Sequence, residues 1–129
     1  MCGIAGVVSA NPIEAALLDD MARRLAHRGP DGQGRHVAGN VGLLHTRLAI
    51  IDLEGGAQPL YNEDRSLVLV ANGEIYNYRE LRSELETLGH RFATHSDCET
   101  ILHGYEAWGI AFLDRLQGMF AFALHDVQR

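Results

Sequence analysis

The sequence predicts a mixed α and β fold in which helices cover a sheet. Short apolar runs alternate with amphipathic segments, and Gly or Pro residues separate most of them. The resulting order is strand, helix, strand, strand, helix, short strand, helix and strand, which favours layers of helices packed on strands. No internal repeat or low-complexity segment interrupts this order.

The first half of the chain supplies a strand, a helix and a second strand. Ile4 to Val8 is a β-branched apolar run typical of a buried strand, and Asn11-Pro12 resembles an N-cap followed by a first helical residue. Apolar residues then recur every four positions, which predicts one apolar helix stripe made of Ile13, Leu17, Met21 and Leu25. Pro30 ends this helix, Asp31 to Asn40 is Gly-rich and predicts a loop, and Val41 to His45 predicts a strand.

The second half begins with Leu67 to Ala71, an unbroken apolar run that predicts a strand covered on both faces and ending at an Asn72-Gly73 turn. A helix follows and ends at Gly89, and Arg91 to Thr94 is a candidate short strand. The helix stripes are Tyr78, Leu81, Leu85 and Leu88, and then Ile101, Leu102, Tyr105 and Trp108 in a helix capped by Ser96-Asp97 and ended by Gly109. Ala111 to Leu116 predicts a helical turn, and Met119 to Leu124 predicts a last strand.

Composition limits the classes of function. A chain of 129 residues is long enough for one domain with a real core, and its net charge of −6 argues against general affinity for nucleic acid or anionic membranes. Neither a signal peptide nor a bilayer-spanning run is present, and two cysteines make no disulfide framework. Gly-rich phosphate-binding fingerprints are missing. We therefore expect a cytoplasmic enzyme or binding domain.

The first three residues, Met1-Cys2-Gly3, suggest a nucleophile. Removal of Met1, expected before a small side chain, would place a thiol and a free α-amine on Cys2. The amine has a reference pKa of about 7.7–8.0, so near neutral pH it can accept the thiol proton. On these three residues alone, chance placement of a cysteine is the better explanation.

Three further positions have a structural and a functional interpretation. Asn72-Gly73 is most often a simple turn, yet it offers an amide side chain and an accessible N–H to an oxyanion. Arg47 either pairs with an internal acid or holds a substrate carboxylate in its guanidinium fork. Asp97 is an N-cap or a partner for a substrate ammonium, so Arg47 and Asp97 together would suit the two charged ends of an amino acid.

Together, six blocks of the sequence resemble the glutaminase domain of class II glutamine amidotransferases, with the greatest similarity to glutamine-hydrolysing asparagine synthetases. The resemblance spans the whole chain, in the order and spacing of that family. The blocks are Met1-Cys2-Gly3-Ile4, His27-Arg28-Gly29-Pro30-Asp31-Gly32, His45-Thr46-Arg47-Leu48-Ala49-Ile50-Ile51-Asp52, Gly56-Ala57-Gln58-Pro59-Leu60, Asn72-Gly73-Glu74-Ile75-Tyr76-Asn77 and Ser96-Asp97-Cys98-Glu99.

The resemblance implies an α+β N-terminal-nucleophile hydrolase fold, a four-layer αββα sandwich. It also implies that Cys2 is the nucleophile and that Asn72 and Gly73 form the oxyanion hole. In the implied glutamine pocket, Arg47 binds the α-carboxylate, and Glu74 and Asp97 hold the α-ammonium end. Asn72 and Gly73 contact the side-chain amide. The residues that line the pocket are Leu48, Ala49, Ile50 and Ile51. Glutamine would be hydrolysed to glutamate and ammonia through a Cys2 thioester.

The resemblance further implies that residues 1–129 are a glutaminase domain truncated at its C-terminus, since the family continues with more strands and a synthetase domain. ATP and Mg²⁺ are expected for that missing domain, and no cofactor is expected in this fragment. Expected partners are glutamine and the synthetase domain. A homodimer is a further possible assembly, because exposed sheet edges can pair with a second copy of the chain. The rival hypothesis is a truncated or inactive domain that serves in interaction or assembly.

A metal site is not predicted. His27, His36 and His45 are evenly spaced, but none of them forms a helical ligand pair with a supporting carboxylate motif. Cys98, Tyr105 and Trp108 are interpreted as buried residues of the third helix.

Overall fold

The computed structural model describes residues 2–49 and 56–129. Within them, two three-stranded antiparallel sheets lie face to face. The first sheet has the order β1 (Gly3–Val8), β3 (Val41–Arg47), β2 (Gly32–Ala38), and the second has the order β4 (Leu60–Tyr61), β5 (Leu67–Ile75), β6 (Gly118–Asp126). The helices are α1 (Ala15–Leu25), α2 (Tyr78–Thr87) and α3 (Glu99–Trp108), followed by a 3₁₀ helix, Gly109–Arg115.

Apolar burial explains why these elements form four layers. Leu18 and Ala22 of α1 pack on Leu44 of β3, on the outer face of the first sheet. Between the sheets, Leu43 meets Val68 and Val70 of β5. The opposite face of β5 packs on α2, α3 and the 3₁₀ helix in the largest apolar cluster of the described residues, whose buried members include Leu69, Leu81, Ile101, Leu102 and Phe112. The order is therefore α1, first sheet, second sheet, α2 and α3, which confirms the predicted αββα sandwich.

The unbroken run from Leu67 to Ala71 is buried on both faces, as predicted. The strand does not end there, however, because β5 continues through Asn72 and Gly73 to Ile75. The predicted turn at Asn72-Gly73 is wrong. Gly73 pairs with Phe120, and a Cβ at this position would lie 2.6 Å from the Met119 carbonyl oxygen and the Phe120 Cα. Glycine is therefore required here by the close approach of β6.

Two other local predictions fail for physical reasons. The Gly-rich segment predicted as a loop is the edge strand β2, which a two-residue turn joins to β3; Gly39 in that turn has a φ of 59°. Arg91 to Thr94 forms no strand, since the Ala93 and Thr94 N–H groups donate to the Glu99 carboxylate.

Helix boundaries differ from the prediction at two N-termini. Helix α1 begins at Ala15, three residues after Pro12, and buries Leu18 and Ala22, whereas Leu17 is 41% exposed. Helix α3 begins at Glu99, and Asp97 does not cap it. The Asp97 carboxylate instead accepts a hydrogen bond from the Ile75 N–H at 2.6 Å. The predicted ends at Gly89 and Gly109 are confirmed, both with positive φ. Among the described helices, none has the length and apolarity needed to cross a membrane.

Candidate active site

Cys2 precedes β1 and is half-buried against the end of β3. Its Sγ accepts a hydrogen bond from the Leu48 N–H at 3.4 Å and lies 3.8 Å from the Leu48 carbonyl oxygen. On the main-chain side, the Arg28 Nε donates to the Cys2 carbonyl oxygen at 3.1 Å. The residue is therefore held through its backbone, and its sulfur faces the segment predicted to line the glutamine pocket.

The loop after α1 positions this segment. Gly29 lies so close to β3 that a Cβ would come within 2.4 Å of the Thr46 carbonyl group, and so only glycine fits. Asp31 donates its N–H to the Arg47 carbonyl oxygen at 2.9 Å and accepts the Ala49 N–H through Oδ2 at 2.8 Å. The sequence analysis assigned no role to this loop, although its His-Arg-Gly-Pro-Asp block was visible.

Strand alternation points Cys2 and Asn72 toward the same layer. On β1, Gly3 faces α1, because its missing side chain would meet Leu25 and Arg28, whereas Ile4 packs in the layer between the sheets. Two residues before Ile4, Cys2 shares that direction. On β5, Val68 and Val70 occupy the same layer, so Asn72 also projects into it.

The oxyanion donor predicted at Gly73 lies on the uncovered edge of β5. The Ala71 N–H donates to Gln58 Oε1 and the Ile75 N–H donates to Asp97 Oδ2, both at 2.6 Å, so neither bonds to β6. Because N–H groups of alternate residues share one edge of a strand, the Gly73 N–H points the same way. In contrast, the Tyr76 N–H points to the opposite side and donates to Gln117. The Gly73 N–H therefore lies on the edge of β5 that faces away from β6, past the end of the short strand β4. It lies between the Ala71 and Ile75 N–H groups, which both donate to side chains.

Asp97 and Cys98 connect α3 to this edge. Cys98 Sγ lies 4.0 Å from the Gly73 carbonyl oxygen. Burial, with a smaller contribution from the neighbouring Asp97 charge, raises the pKa of the Cys98 thiol to about 12, and the Cys2 thiol acts in the same direction. Of the two thiols, the half-buried Cys2 is therefore the one suited to nucleophilic chemistry. Asp97 is engaged by the Ile75 N–H, and the neighbouring Glu74 is exposed.

The other predicted pocket residues follow β3. Arg47 is the last residue of β3, is half-buried and pairs with Gly32 of β2. Leu48 and Ala49 continue from it and carry the contacts to Cys2 and Asp31 described above. Ile50 and Ile51 lie outside the described residues.

His45 lies below these residues, between the sheets. It pairs with Ile4 of β1, is 1% exposed and contacts the Ala71 backbone. Burial lowers its pKa to about 4, and the nearby Arg47 charge contributes to the shift. The imidazole is therefore neutral at physiological pH. The sequence analysis considered His45 only as a metal ligand, and its pairing with Ile4 was not visible before the register was known.

Comparison with known proteins identifies the family. A family model described as a glutamine amidotransferase domain matches residues 1–129. The chain belongs to this family. Asparagine synthetase [glutamine-hydrolyzing] of Zea mays is 50% identical over 131 aligned residues, and the corresponding enzyme 2 of Oryza sativa subsp. japonica is 49% identical. Each alignment covers 99% of this chain but only 22% of the relative, so the chain spans about a fifth of the length of these glutamine amidotransferases.

Two solved structures share the architecture of this glutamine amidotransferase domain. Glutamine phosphoribosylpyrophosphate amidotransferase from B. subtilis superposes with a TM-score of 0.73 over 96% of this chain and 35% of that chain, at 23% identity. A structure titled as the allosteric regulatory enzyme of purine biosynthesis superposes with a TM-score of 0.57 over 70% of this chain and 22% of that chain, at 29% identity. The fold is that of the N-terminal-nucleophile hydrolases, as the sequence analysis predicted.

The structure also contains a cluster of potential metal ligands that the sequence analysis missed. Within the described residues, Glu63, His90, His103 and Glu106 each offer one ligand atom, and these atoms lie within 4.8 Å of one another. The spacing His103 to Glu106 is one helical turn, which could have been noticed in the sequence. Glu63 and His90 come from separate connections, and only the fold brings them to α3.

Proposed function

We propose that this domain hydrolyses glutamine to glutamate and ammonia, with Cys2 as the nucleophile. The supporting observation is the position of the Cys2 sulfur at the end of β3, where it faces Leu48 and follows the same strand alternation as Asn72. Family membership gives independent support, as does the similarity to plant asparagine synthetases that are named as glutamine-hydrolysing.

The mechanism begins with the α-amine of Cys2 after Met1 is removed. The amine takes the thiol proton, and the thiolate attacks the side-chain carboxamide carbon of glutamine, so that a C–S bond forms. The Asn72 side-chain amide and the Gly73 N–H stabilise the developing oxyanion. The C–N bond then breaks, the amine returns its proton to the departing ammonia, and water hydrolyses the glutamyl thioester to glutamate.

Substrate recognition follows from the charges at the rim. Arg47 would bind the α-carboxylate through its guanidinium fork, and the pairing of its neighbour Thr46 with Gly3, the residue after Cys2, supports this role. Glu74 and Asp97 would hold the α-ammonium group, and Leu48, Ala49, Ile50 and Ile51 would line the pocket. Since Asp97 is fixed by the Ile75 N–H, its carboxylate is already oriented before substrate binds.

We also propose that the ammonia serves an ATP- and Mg²⁺-dependent synthetase domain in the whole protein. The basis is the similarity to asparagine synthetases of which this chain spans 22%. The amide acceptor would be recognised in that domain, because the proposed pocket accounts only for glutamine. Sequencing the gene beyond codon 129 tests this proposal directly.

The glutaminase proposal is tested by measuring glutamate release from glutamine by the purified protein. Cys2→Ser is expected to lower kcat by at least about 10³-fold, and Asn72→Ala by about 10²–10³-fold. Asn72 is preferable to Gly73 because a side chain at Gly73 would displace β6. An extra residue before Cys2 should also abolish activity, since it blocks the amine. Unchanged glutamate release in the Cys2→Ser protein would refute the mechanism, and no release by folded parent protein lacking Met1 would favour the non-catalytic alternative.

A further inference from the structure

Four potential ligands converge on the outer layer of the domain, in a cluster defined by Glu63, His90, His103 and Glu106. Glu63 belongs to the turn between β4 and β5, His90 follows α2, and the other two residues lie one turn apart on α3. Three separate segments of the fold therefore meet at this point. None of the four ligands is a residue of the proposed glutamine site, although the connection that carries His90 also carries Asp97.

The distances inside this cluster lie around those expected between the ligands of a small cation. His103 Nδ1 lies 2.8 Å from Glu106 Oε2 and 3.9 Å from Glu63 Oε2, and His90 Nδ1 lies 3.4 Å from Glu106 Oε2. Tetrahedral zinc has bonds of about 2.0–2.2 Å to nitrogen and oxygen, which places its ligand atoms about 3.3–3.6 Å apart. The observed separations bracket this range, so small side-chain shifts would complete the coordination.

The two carboxylates are already oriented toward the centre of the cluster. The other oxygen of Glu63, Oε1, accepts the Arg91 N–H at 2.9 Å, and Glu106 Oε1 accepts an N–H of the buried Asn62 side chain at 2.8 Å. Each carboxylate thus keeps Oε2 for the cluster. Fixing the remaining lone pairs of ligating carboxylates is a common property of protein metal sites.

His103 has the arrangement expected of a metal-binding imidazole. It is 1% exposed, and its Nδ1 faces the cluster while its Nε2 faces Glu99 Oε1 at 3.5 Å. Among the described residues, Nε2 has no hydrogen-bond partner. Glu99 is itself fixed by the Ala93 N–H at 2.6 Å and by the Thr94 N–H and hydroxyl at 2.8 and 2.6 Å. A carboxylate behind the imidazole orients the ring and increases its basicity as a ligand.

The net charge of the cluster also favours the binding of a cation. Glu63, Glu99 and Glu106 bring three carboxylates to two imidazoles, so the cluster is negative even when both rings are protonated. A divalent cation would offset this charge, and the mixed nitrogen and oxygen donors favour zinc-like first-row metals over Mg²⁺ or Ca²⁺.

We propose that Glu63, His90, His103 and Glu106 bind one zinc-class divalent cation. Four protein ligands leave no open coordination position, which is typical of structural rather than catalytic zinc. The cation would join the β4–β5 turn and the connection after α2 to helix α3. This proposal is independent of glutamine hydrolysis.

The test is a Zn²⁺ titration of chelator-treated protein against a chromophoric competitor, in a Cys2→Ser background that removes the half-buried thiol. We expect one Zn²⁺ per chain, not displaced by an excess of Mg²⁺. His90→Ala and Glu63→Gln should each weaken binding at least about tenfold, and Glu99→Gln by about 10–100-fold. The matched controls are His95→Ala and Glu80→Gln, exposed residues outside the cluster, which should change the affinity less than about twofold.

Replacement by Co²⁺ reports the ligand types. A visible spectrum typical of tetrahedral cobalt without a thiolate charge-transfer band would support the proposed nitrogen and oxygen donors. Absence of stoichiometric Zn²⁺ binding, or equal binding by the parent and the Glu63→Gln protein, would overturn the proposal. Because Glu63 is exposed, this variant remains decisive if His90→Ala destabilises the domain.

Discussion

Two regions of this domain bury a histidine to the same extent and give it opposite properties. His45, between the sheets, and His103, in the outer layer on α3, are each 1% exposed. Burial lowers the pKa of His45 to about 4, reinforced by Arg47. Burial also disfavours the charged form of His103, but contacts with Glu99 and Glu106 outweigh it and raise its pKa. The comparison shows that burial sets the cost of charge, whereas the neighbouring groups decide whether the charge is kept.

The two regions therefore respond to pH with opposite signs. His45 binds a proton more readily when unfolded, so its contribution to stability is lost as pH falls from about 6.5 toward 4. In the metal-free domain, His103 binds a proton more readily when folded, so its contribution to stability is present below about pH 6.5 and lost as pH rises through the folded pKa. Burial disfavours the charged form of Glu99, but contacts with His103, Thr94 and Ala93 outweigh it and lower the pKa of this carboxyl, so its contribution to stability is lost as pH falls through the lowered pKa.

The largest expected effect comes from removing Glu99, the buried carboxylate that favours the charged form of His103. Glu99→Ala leaves the Ala93 and Thr94 N–H groups unpaired and removes a buried partner of His103. We expect a loss of about 3–5 kcal/mol in the free energy of unfolding at pH 7, measured by urea denaturation. Glu80→Ala, at an exposed position of α2, should change it by less than about 0.5 kcal/mol. Similar values for the two variants would mean that the carboxylate does not hold this layer.

The next effect tests the neutral histidine between the sheets. His45→Gln retains a polar side chain but cannot gain a charge, so the variant should lose less stability than the parent on acidification from pH 6.5 to 4. The difference is expected to reach about 3 kcal/mol, from the shift of the pKa to about 4. Parallel stability profiles of the parent and variant across this range would contradict the assigned protonation state, and His95→Gln serves as the exposed control.

A smaller effect is expected at the edge of β5 that meets His45. Gln58 Oε1 accepts the Ala71 N–H at 2.6 Å, and Gln58→Leu would leave this buried donor unpaired. We expect destabilisation of about 1–3 kcal/mol, measured as a lower urea midpoint with an unchanged m-value. A variant as stable as the parent would show that another acceptor replaces Gln58.

The smallest effect concerns the surface that supports the outer layer. Arg82 donates to the Thr94 carbonyl oxygen at 2.9 Å and lies 4.4 Å from the centre of the Phe92 ring, which in turn packs on His103. Arg82→Met is expected to cost about 1 kcal/mol. Removing only its exposed ion-pair partner, in Glu86→Gln, should cost less than about 0.5 kcal/mol and depend on salt. If both variants lost the same free energy of unfolding, the stabilisation by Arg82 would come from its ion pair with Glu86.

The same contrast explains how much the sequence could predict. Apolar runs located β1, β3 and the buried part of β5, and the run in β5 is continuous because Leu67 to Ala71 are buried on both faces. The predicted burial of β1 is wrong, since this strand is only partly buried and Val8 is 76% exposed. The apolar pattern failed for β2, an edge strand whose exposed positions tolerate Gly, Gln and Arg. It also failed at Arg91 to Thr94, where a distant carboxylate takes the N–H groups that a strand would pair. Such tertiary hydrogen bonds leave no local pattern.

For the site, the motifs identified residues but not their geometry. Asn72 and Gly73 were predicted to be oxyanion donors in a turn. The orientation of Gly73 instead comes from an extended strand, in which the N–H groups two residues before and after it donate to Gln58 and Asp97. The contact between Arg28 and the Cys2 backbone could not be predicted from the sequence, since 26 residues separate the two. The cluster around His103 was missed because two of its members come from separate connections.

The central functional claim is that Cys2, between the sheets, attacks glutamine. The most direct measurement uses a glutamine analogue whose side-chain amide is replaced by an electrophilic ketone, followed by peptide mass spectrometry. We predict one label per chain, on a peptide that begins at Cys2, with glutaminase activity lost in parallel and glutamine giving protection. Labelling of Cys98 instead, or full glutaminase activity after complete labelling of Cys2, would contradict the account.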